Sequence, residues 1–443
     1  MRCFIGVTLV AALASPAAAP LFAQEQGAAL PAAAQTERFD VGGVKVIHRQ
    51  TNTNLVVANL YLLGGNALVP RSLAGIEPML LEITERGTRK YAGESLRRAM
   101  ARTGSEIGVV PHEDFTIYGL RTTTDRLDSV WSIFADRLVA PTLAAADFEF
   151  VRDNRVAALV QRDDSPDALL EYLADSVAYV THPYGASAVG TDRSVGAITL
   201  EQLRAFHRAQ MVKSRFLLVV VGNVPRAKLE LLVQQGLGSL PAGDFAWKPA
   251  DLLAPPPGQN VLLVSRRLPT NYILGWWSGP PAGHPDVPAL RVASAILGGR
   301  LFAEVRSRRN LTYAVEARFR DRALTSGGLY VTTTRPDETL AIMRDELRKL
   351  RTTTVSHEGL GPLVQQFLTE YFLDNETTSA QADFLARAEL YRGDFRAGER
   401  FVAELRAVTG EDVRRVAEQW MTNLRFTYIG NPSQVDRIKL MSF

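Results

Sequence analysis

A chain of 443 residues, 46% hydrophobic and 22% charged, has the composition of a folded protein with a sizeable core and the length for more than one domain. Its formal net charge is only +3, with no Lys-rich tail or stripe, so nucleic acid has no electrostatic case as a partner. Its single cysteine, Cys3, excludes a disulfide framework and a Cys-ligated zinc site.

The first residues read as a targeting segment. Arg2 supplies a short positive region, and Cys3 to Ala14 is an apolar run too short to span a bilayer. Small residues follow, and cleavage after Ala23 or Ala19 fits a secretory signal. Residues 1–23 are therefore expected to be a signal peptide and 24–36 a flexible mature N-terminus. The mature chain is then a secreted, periplasmic protein with no thiol and no stable membrane span.

Further along, Val44–His48 and Leu55–Leu62 read as strands. Ser165-Pro166-Asp167 starts a helix, with Ser as cap, Pro in the first turn and Asp favoured by the dipole. Its expected apolar face is Leu169, Leu170, Leu173 and Val177. The unbroken run Leu217–Val221 predicts a strand buried on both faces. Prolines 255–257 forbid both helix and sheet ladder, which marks 246–258 as a linker between domains at 37–245 and 259–443.

Those two segments share a pattern. Thr199 and Thr409, Glu201 and Glu411, Arg204 and Arg414, Met211 and Met421, and Arg215-Phe216 and Arg425-Phe426 all stand 210 residues apart. Thr122-Thr123-Thr124 and Thr332-Thr333-Thr334 keep the same offset, and each Arg-Phe enters an apolar run closing on Gly-Asn. The expectation is an internal duplication. Each copy is α+β, a mostly antiparallel sheet with helices packed on one face.

Four segments carry a family signal. They are Gly75 to Glu82 followed by Gly87-Thr88; His182-Pro183-Tyr184-Gly185 with Val189-Gly190-Thr191; Gly222-Asn223-Val224; and Leu297 to Arg306 followed by Leu311-Thr312-Tyr313. In this order and spacing the chain resembles the pitrilysin/insulinase-type zinc metallopeptidases, over nearly all of the mature sequence. It is similar to their processing-peptidase-like branch. The resemblance implies an inverted His-x-x-Glu-His helix, whose imidazoles lie one turn apart and whose Glu serves as general base. In register with Gly75 and Gly87-Thr88, these positions fall on Pro78, Leu81 and Glu82, and none matches. The family's third ligand, a later Glu, falls near Ala157-Ala158. His48, His112, His182, His207, His284 and His357 include no pair three or four apart, and His112-Glu113-Asp114 is the densest cluster. His182 is expected to be a turn residue.

The resemblance also implies that the second domain lends an Arg and a Tyr to the catalytic site, here Arg306 and Tyr313. The bland alternative is a solvated arginine face, Arg300, Arg306, Arg308 and Arg309, beside an outward Tyr313. The expected function is a metal-less subunit that forms a heterodimer with a zinc-bearing partner of the same family. That partner would hydrolyse unfolded peptides, with zinc in the partner and no cofactor in this chain. A non-catalytic scaffold or peptide-binding protein of the same fold is the alternative, and an independent metallopeptidase comes third.

Overall fold

Alternation along the strands decides the architecture. In the run Phe216–Val221, the side chains of Phe216, Leu218 and Val220 enter one core while Leu217, Val219 and Val221 enter another. A strand apolar at every position must be covered on both faces, and the fold is the solution to that demand. The computed structural model describes residues 36–248 and 261–443. The leader 1–23, the N-terminal segment up to residue 35 and residues 249–258 of the Pro-rich stretch lie outside the described residues.

Two sheets are present among the described residues. The first contains β1 (Thr36–Val41), β2 (Val44–Gln50), β3 (Leu55–Leu63), β4 (Glu106–Pro111), β5 (Phe115–Thr123) and β6 (Phe216–Gly222), in the order β1-β2-β6-β3-β5-β4. The second contains β7 (Val261–Ser265), β8 (Asn271–Pro281), β9 (Val315–Arg320), β10 (Leu324–Thr333) and β11 (Arg425–Gly430), in the order β7-β11-β8-β10-β9. With β1 set aside, the two orders are the same. In each, one parallel pair, β2 with β6 and β7 with β11, interrupts an otherwise antiparallel sheet. The helices leading into β6 and β11 match too. Thr199 caps Leu200–Gln210 and Thr409 caps Gly410–Trp420, each through a reciprocal capping box. The 210-residue offset is thus a repeat of topology as well as of residues.

Each sheet lays one face on helices of its own half, as expected of an α+β fold. The opposite face is covered by a helix from the other half. Helix Thr378–Arg392 places Ala382, Leu385, Ala386 and Leu390 against Ile47, Val57, Tyr61 and Phe115 of the first sheet. Helix Pro166–Ala178 places Leu169, Leu170, Ala174 and Ala178 against Leu274, Trp276, Tyr330 and Ile429 of the second. Ser165 caps that helix as its sequence predicts. Its buried stripe ends on Ala174 and Ala178, while Leu173 and Val177 are only half-buried, because small residues let the helix lie close to Trp276.

A polar seam follows this exchange. On β9 and just beyond it, Arg318, Arg320 and Arg322 lie over the rings of Tyr330, Trp276 and Tyr184, and they pair with Glu171, Asp175 and Glu113 of the first half. Arg322 also donates to the Tyr179 hydroxyl at 3.0 Å. Burial pushes the Glu113 carboxyl upward, but Arg322, a backbone hydrogen bond and the Arg320 and His112 charges together outweigh it and hold the group below its ordinary value. Asp114 accepts from the Tyr184 and Tyr391 hydroxyls at 2.6 and 2.8 Å and from the Ala323 amide at 2.8 Å. Among the described residues no helix is long and apolar enough to cross a membrane.

Leu170→Ala opens a cavity under the second sheet and is expected to cost about 2–5 kcal/mol. Because the helix belongs to both cores, amide exchange should accelerate in β8 and β11 as well as in the helix. Acceleration confined to 166–178 would contradict the exchanged-helix architecture.

Candidate functional site

The segment resembling a zinc helix is a helix, Ile76–Ile83. Its entry is fixed by two glycines from separate motifs. Gly75 has φ 90°, and a Cβ there would lie 2.6 Å from the Val189 carbonyl oxygen; Gly190 has φ 84°, and its Cβ would lie 2.5 Å from the Ala74 carbonyl oxygen. The two motif segments are therefore in backbone contact, which only glycine permits.

Pro78 sits in the first turn, where its missing N–H costs nothing. Leu81 is buried, and its carbonyl accepts from the Thr84 hydroxyl at 2.6 Å. Glu82 pairs with Arg155 at 2.8 Å. Arg155 lies on the helix Ala145–Asp164, two residues before the exposed Ala157 and Ala158. Two of the three motif positions carry no metal donor in their side chains. The third carboxylate is held by a guanidinium, which would repel a cation. These residues do not fit zinc. Among the described residues there is no grouping of three or more His, Cys, Asp or Glu side chains able to hold a metal ion.

Polarity alone places Glu77 on the solvent side of this helix, beside Glu82 and Glu85. The structure buries it instead. Glu77 accepts from Arg215 at 2.8 Å and from the Thr116 hydroxyl at 2.7 Å, and Arg215 is itself buried. The duplicated Arg215-Phe216 motif was the available signal, because an arginine opening a wholly apolar strand needs a buried acceptor. The cluster His112-Glu113-Asp114 lies between β4 and β5 rather than on a strand, and its carboxylates serve the polar seam. Burial and the Arg387 charge lower the His112 imidazole pKa below its ordinary value. His182 accepts the Tyr184 amide at 3.2 Å and caps the short turn Pro183–Gly185, as expected.

Arg306 and Tyr313 do come together. Helix Val287–Leu301 runs on into a wide π turn, Phe302–Ser307, whose 308 amide donates to the Ala303 carbonyl at 2.9 Å. That turn lifts Arg306 between two rings, 5.0 Å from the centroid of Phe302 and 4.6 Å from that of Tyr313. Arg308 and Arg309 are paired with Glu304, while Arg306 has no carboxylate within ion-pair distance among the described residues. The following loop is pinned to the end of β10, where the Thr333 hydroxyl donates to the Leu311 carbonyl at 3.0 Å and the Thr312 hydroxyl to the Thr332 carbonyl. Leu311 and Thr312 are buried by this anchoring, and Tyr313 projects outward at 82% exposure. Sequence reasoning missed Phe302, the second ring that steadies Arg306.

The peptidase M16 inactive domain, as a family model, matches residues 197–361, which include the Arg306 and Tyr313 loop. The whole fold matches a crystal structure of a peptidase M16 inactive domain from Pseudomonas fluorescens with a TM-score of 0.80, at 19% identity, covering 90% of this chain and 98% of that one. Residues 197–361 are thus similar to the M16 inactive domain, and the whole fold is similar to that of M16 proteins. An uncharacterized zinc protease of Mycobacterium tuberculosis is 27% identical over 79% of this chain and 82% of its own length. The periplasmic protease PqqL of Escherichia coli matches with a TM-score of 0.73 at 16% identity, over 89% of this chain but 46% of the longer one. Beside these relatives, this chain combines Pro78 and Leu81, whose side chains offer no metal donor, with Arg306 and Tyr313 held against each other.

The two carboxylates of the Ile76–Ile83 helix should respond differently to removal. Glu77→Ala strands the buried Arg215 charge and is expected to cost about 3–5 kcal/mol. Glu82→Ala breaks a half-exposed pair and should cost about 1 kcal/mol or less. Urea denaturation of the two variants checks this, and equal losses would contradict the assignment of Glu77 as the buried anchor.

Proposed function

We propose that this chain is the metal-less subunit of a periplasmic M16 zinc metalloendopeptidase, paired with a zinc-bearing M16 partner that hydrolyses unfolded peptides. The observation that carries the reading is the exposed Tyr313 held against Arg306, which has no carboxylate partner among the described residues, on a chain whose Pro78 and Leu81 offer no metal donor and whose Glu82 is paired with Arg155. A phenol aimed outward on a pinned loop can donate to a peptide carbonyl oxygen as that oxygen gains charge. Arg306, oriented by two rings and without an acid of its own, can hold a neighbouring carbonyl of the substrate. The nucleophile and its metal belong to the partner subunit. The proposal includes export by the leader 1–23 and a two-domain division, 37–245 and 259–443, about the linker. The zinc protease of Mycobacterium tuberculosis and the periplasmic PqqL support the reaction class and the compartment respectively.

In the reconstituted pair, Tyr313→Phe is expected to lower kcat by about 10²–10³ with little change in peptide affinity, since the donor acts mainly in the transition state. Arg306→Ala should weaken substrate binding as well. Neither change should alter assembly or the zinc content of the pair. Wild-type turnover by Tyr313→Phe, with zinc and assembly intact, would overturn the shared-site reading and favour a non-catalytic peptide-binding scaffold.

A further inference from the structure

The motif Gly430-Asn431, which closes the second apolar run, has a place in the structure outside the Arg/Tyr loop. It forms part of a cavity of about 420 Å³ at one end of the second sheet. Five strands present the same end there. Ser265 ends β7, Gly430 ends β11, Asn271 begins β8, Thr333 ends β10, and β9 begins two residues after Tyr313. The cavity and the Arg/Tyr loop therefore lie along a single rim.

The polar wall of the cavity is Ser265, Arg266, Arg267, Thr334, Asn431 and Gln434; Leu268 and Pro269 complete it, and no carboxylate lines it. Buried Asn271 organises the floor. Its amide donates to the Thr333 carbonyl at 3.0 Å and to Gln434 Oε1 at 2.9 Å, and its Oδ1 accepts from the Tyr428 hydroxyl at 2.7 Å and the Asn431 amide at 3.0 Å. A Cβ at Gly430 would lie 2.2 Å from that Oδ1, so glycine is required for the hub to form. These bonds use the acceptor oxygen of Gln434, and Asn431 Oδ1 accepts from Ser433. The amide NH₂ groups of both side chains are left as donors. Among the described residues, neither Arg266 nor Arg267 reaches a carboxylate. Every polar side chain on the wall can donate, and none carries negative charge, which is the chemistry of an anion site.

We propose that this cavity binds a carboxylate of the peptide whose reacting bond lies at Tyr313. From β9 to β7 is four strand spacings, about 19 Å, which an extended peptide crosses in roughly six residues. The cavity would thus recognise peptides with a negative charge about six residues from the bond cleaved. That carboxylate is either the chain's own C-terminus or an acidic side chain. This specificity rests on the peptide-binding role of the Arg306 and Tyr313 loop proposed above.

The test is peptide binding to the purified full chain without any partner, so that it does not depend on hydrolysis. One unfolded peptide is compared as its free acid, as its C-terminal amide, and as the amide with a single Asp six residues from the centre. The wild-type chain should bind at least one charged form about tenfold more tightly than the neutral amide. The free-acid and Asp arms identify which carboxylate is used. The difference should disappear in the double variant Arg266→Gln/Arg267→Gln, whose side chains are at the surface, and should shrink at high salt. If all three peptides bind alike, or if the preference survives in the double variant, the carboxylate site is wrong. Neither result would touch the Tyr313→Phe experiment on the reconstituted pair, which stands or falls separately.

Discussion

Each sheet can be buried on its second face only by a helix lent from the other half. Strands such as β6, apolar at all positions, would expose Leu217, Val219 and Val221 without Leu385 and Leu390. Trp276 and Ile429 would be bare without Leu170 and Ala174. At roughly 25 cal/mol per Å² of apolar surface, exposure of two such faces would cost more than a domain's whole net stability. The exchange therefore fixes how the halves meet, and the charged seam of Arg318, Arg320 and Arg322 follows the line it creates. With the second sheet held in this way, its rim becomes a rigid platform, and both the Arg306 and Tyr313 loop and the Asn271 hub stand on that platform.

The Ile76–Ile83 helix is held in place without a metal. Its packing depends on Ile76, Met79, Leu80 and Ile83 and on the Glu77–Arg215 pair, none of which needs a metal. Glu82 and Arg155 neutralise each other where a helix pair would otherwise converge on an ion. The surrounding glycine contacts at Gly75 and Gly190 are unaffected by what the motif positions carry. Side chains without metal donors at Pro78 and Leu81 are therefore compatible with this architecture.

Much of this was legible in the sequence because it depends on local pattern. The apolar run Leu217–Val221 implies a doubly buried strand, Ser165-Pro166 a helix start, and the 210-residue offset two like halves. What the sequence did not disclose are pairings set by tertiary approach. Glu77 looks like a solvent-facing acid until Arg215, 138 residues away, is brought beside it. Nothing local in the helices that change sides, Pro166–Ala178 and Thr378–Arg392, says which sheet they cover. Phe302 and Asn271 owe their roles to the π turn and to the register of β8 with β10, neither of which has a signature in one sequence.

The proposed division of labour between two subunits is tested most directly by the zinc content of the purified chain alone, measured by elemental analysis after metal-free preparation and after incubation with excess zinc and desalting. Side chains of Pro78, Leu81 and an Arg155-paired Glu82 predict background zinc in both samples and no cleavage of unfolded peptides. One zinc per chain, with peptide cleavage abolished by a chelator and restored by zinc, would contradict that assignment and make this chain a metallopeptidase in its own right.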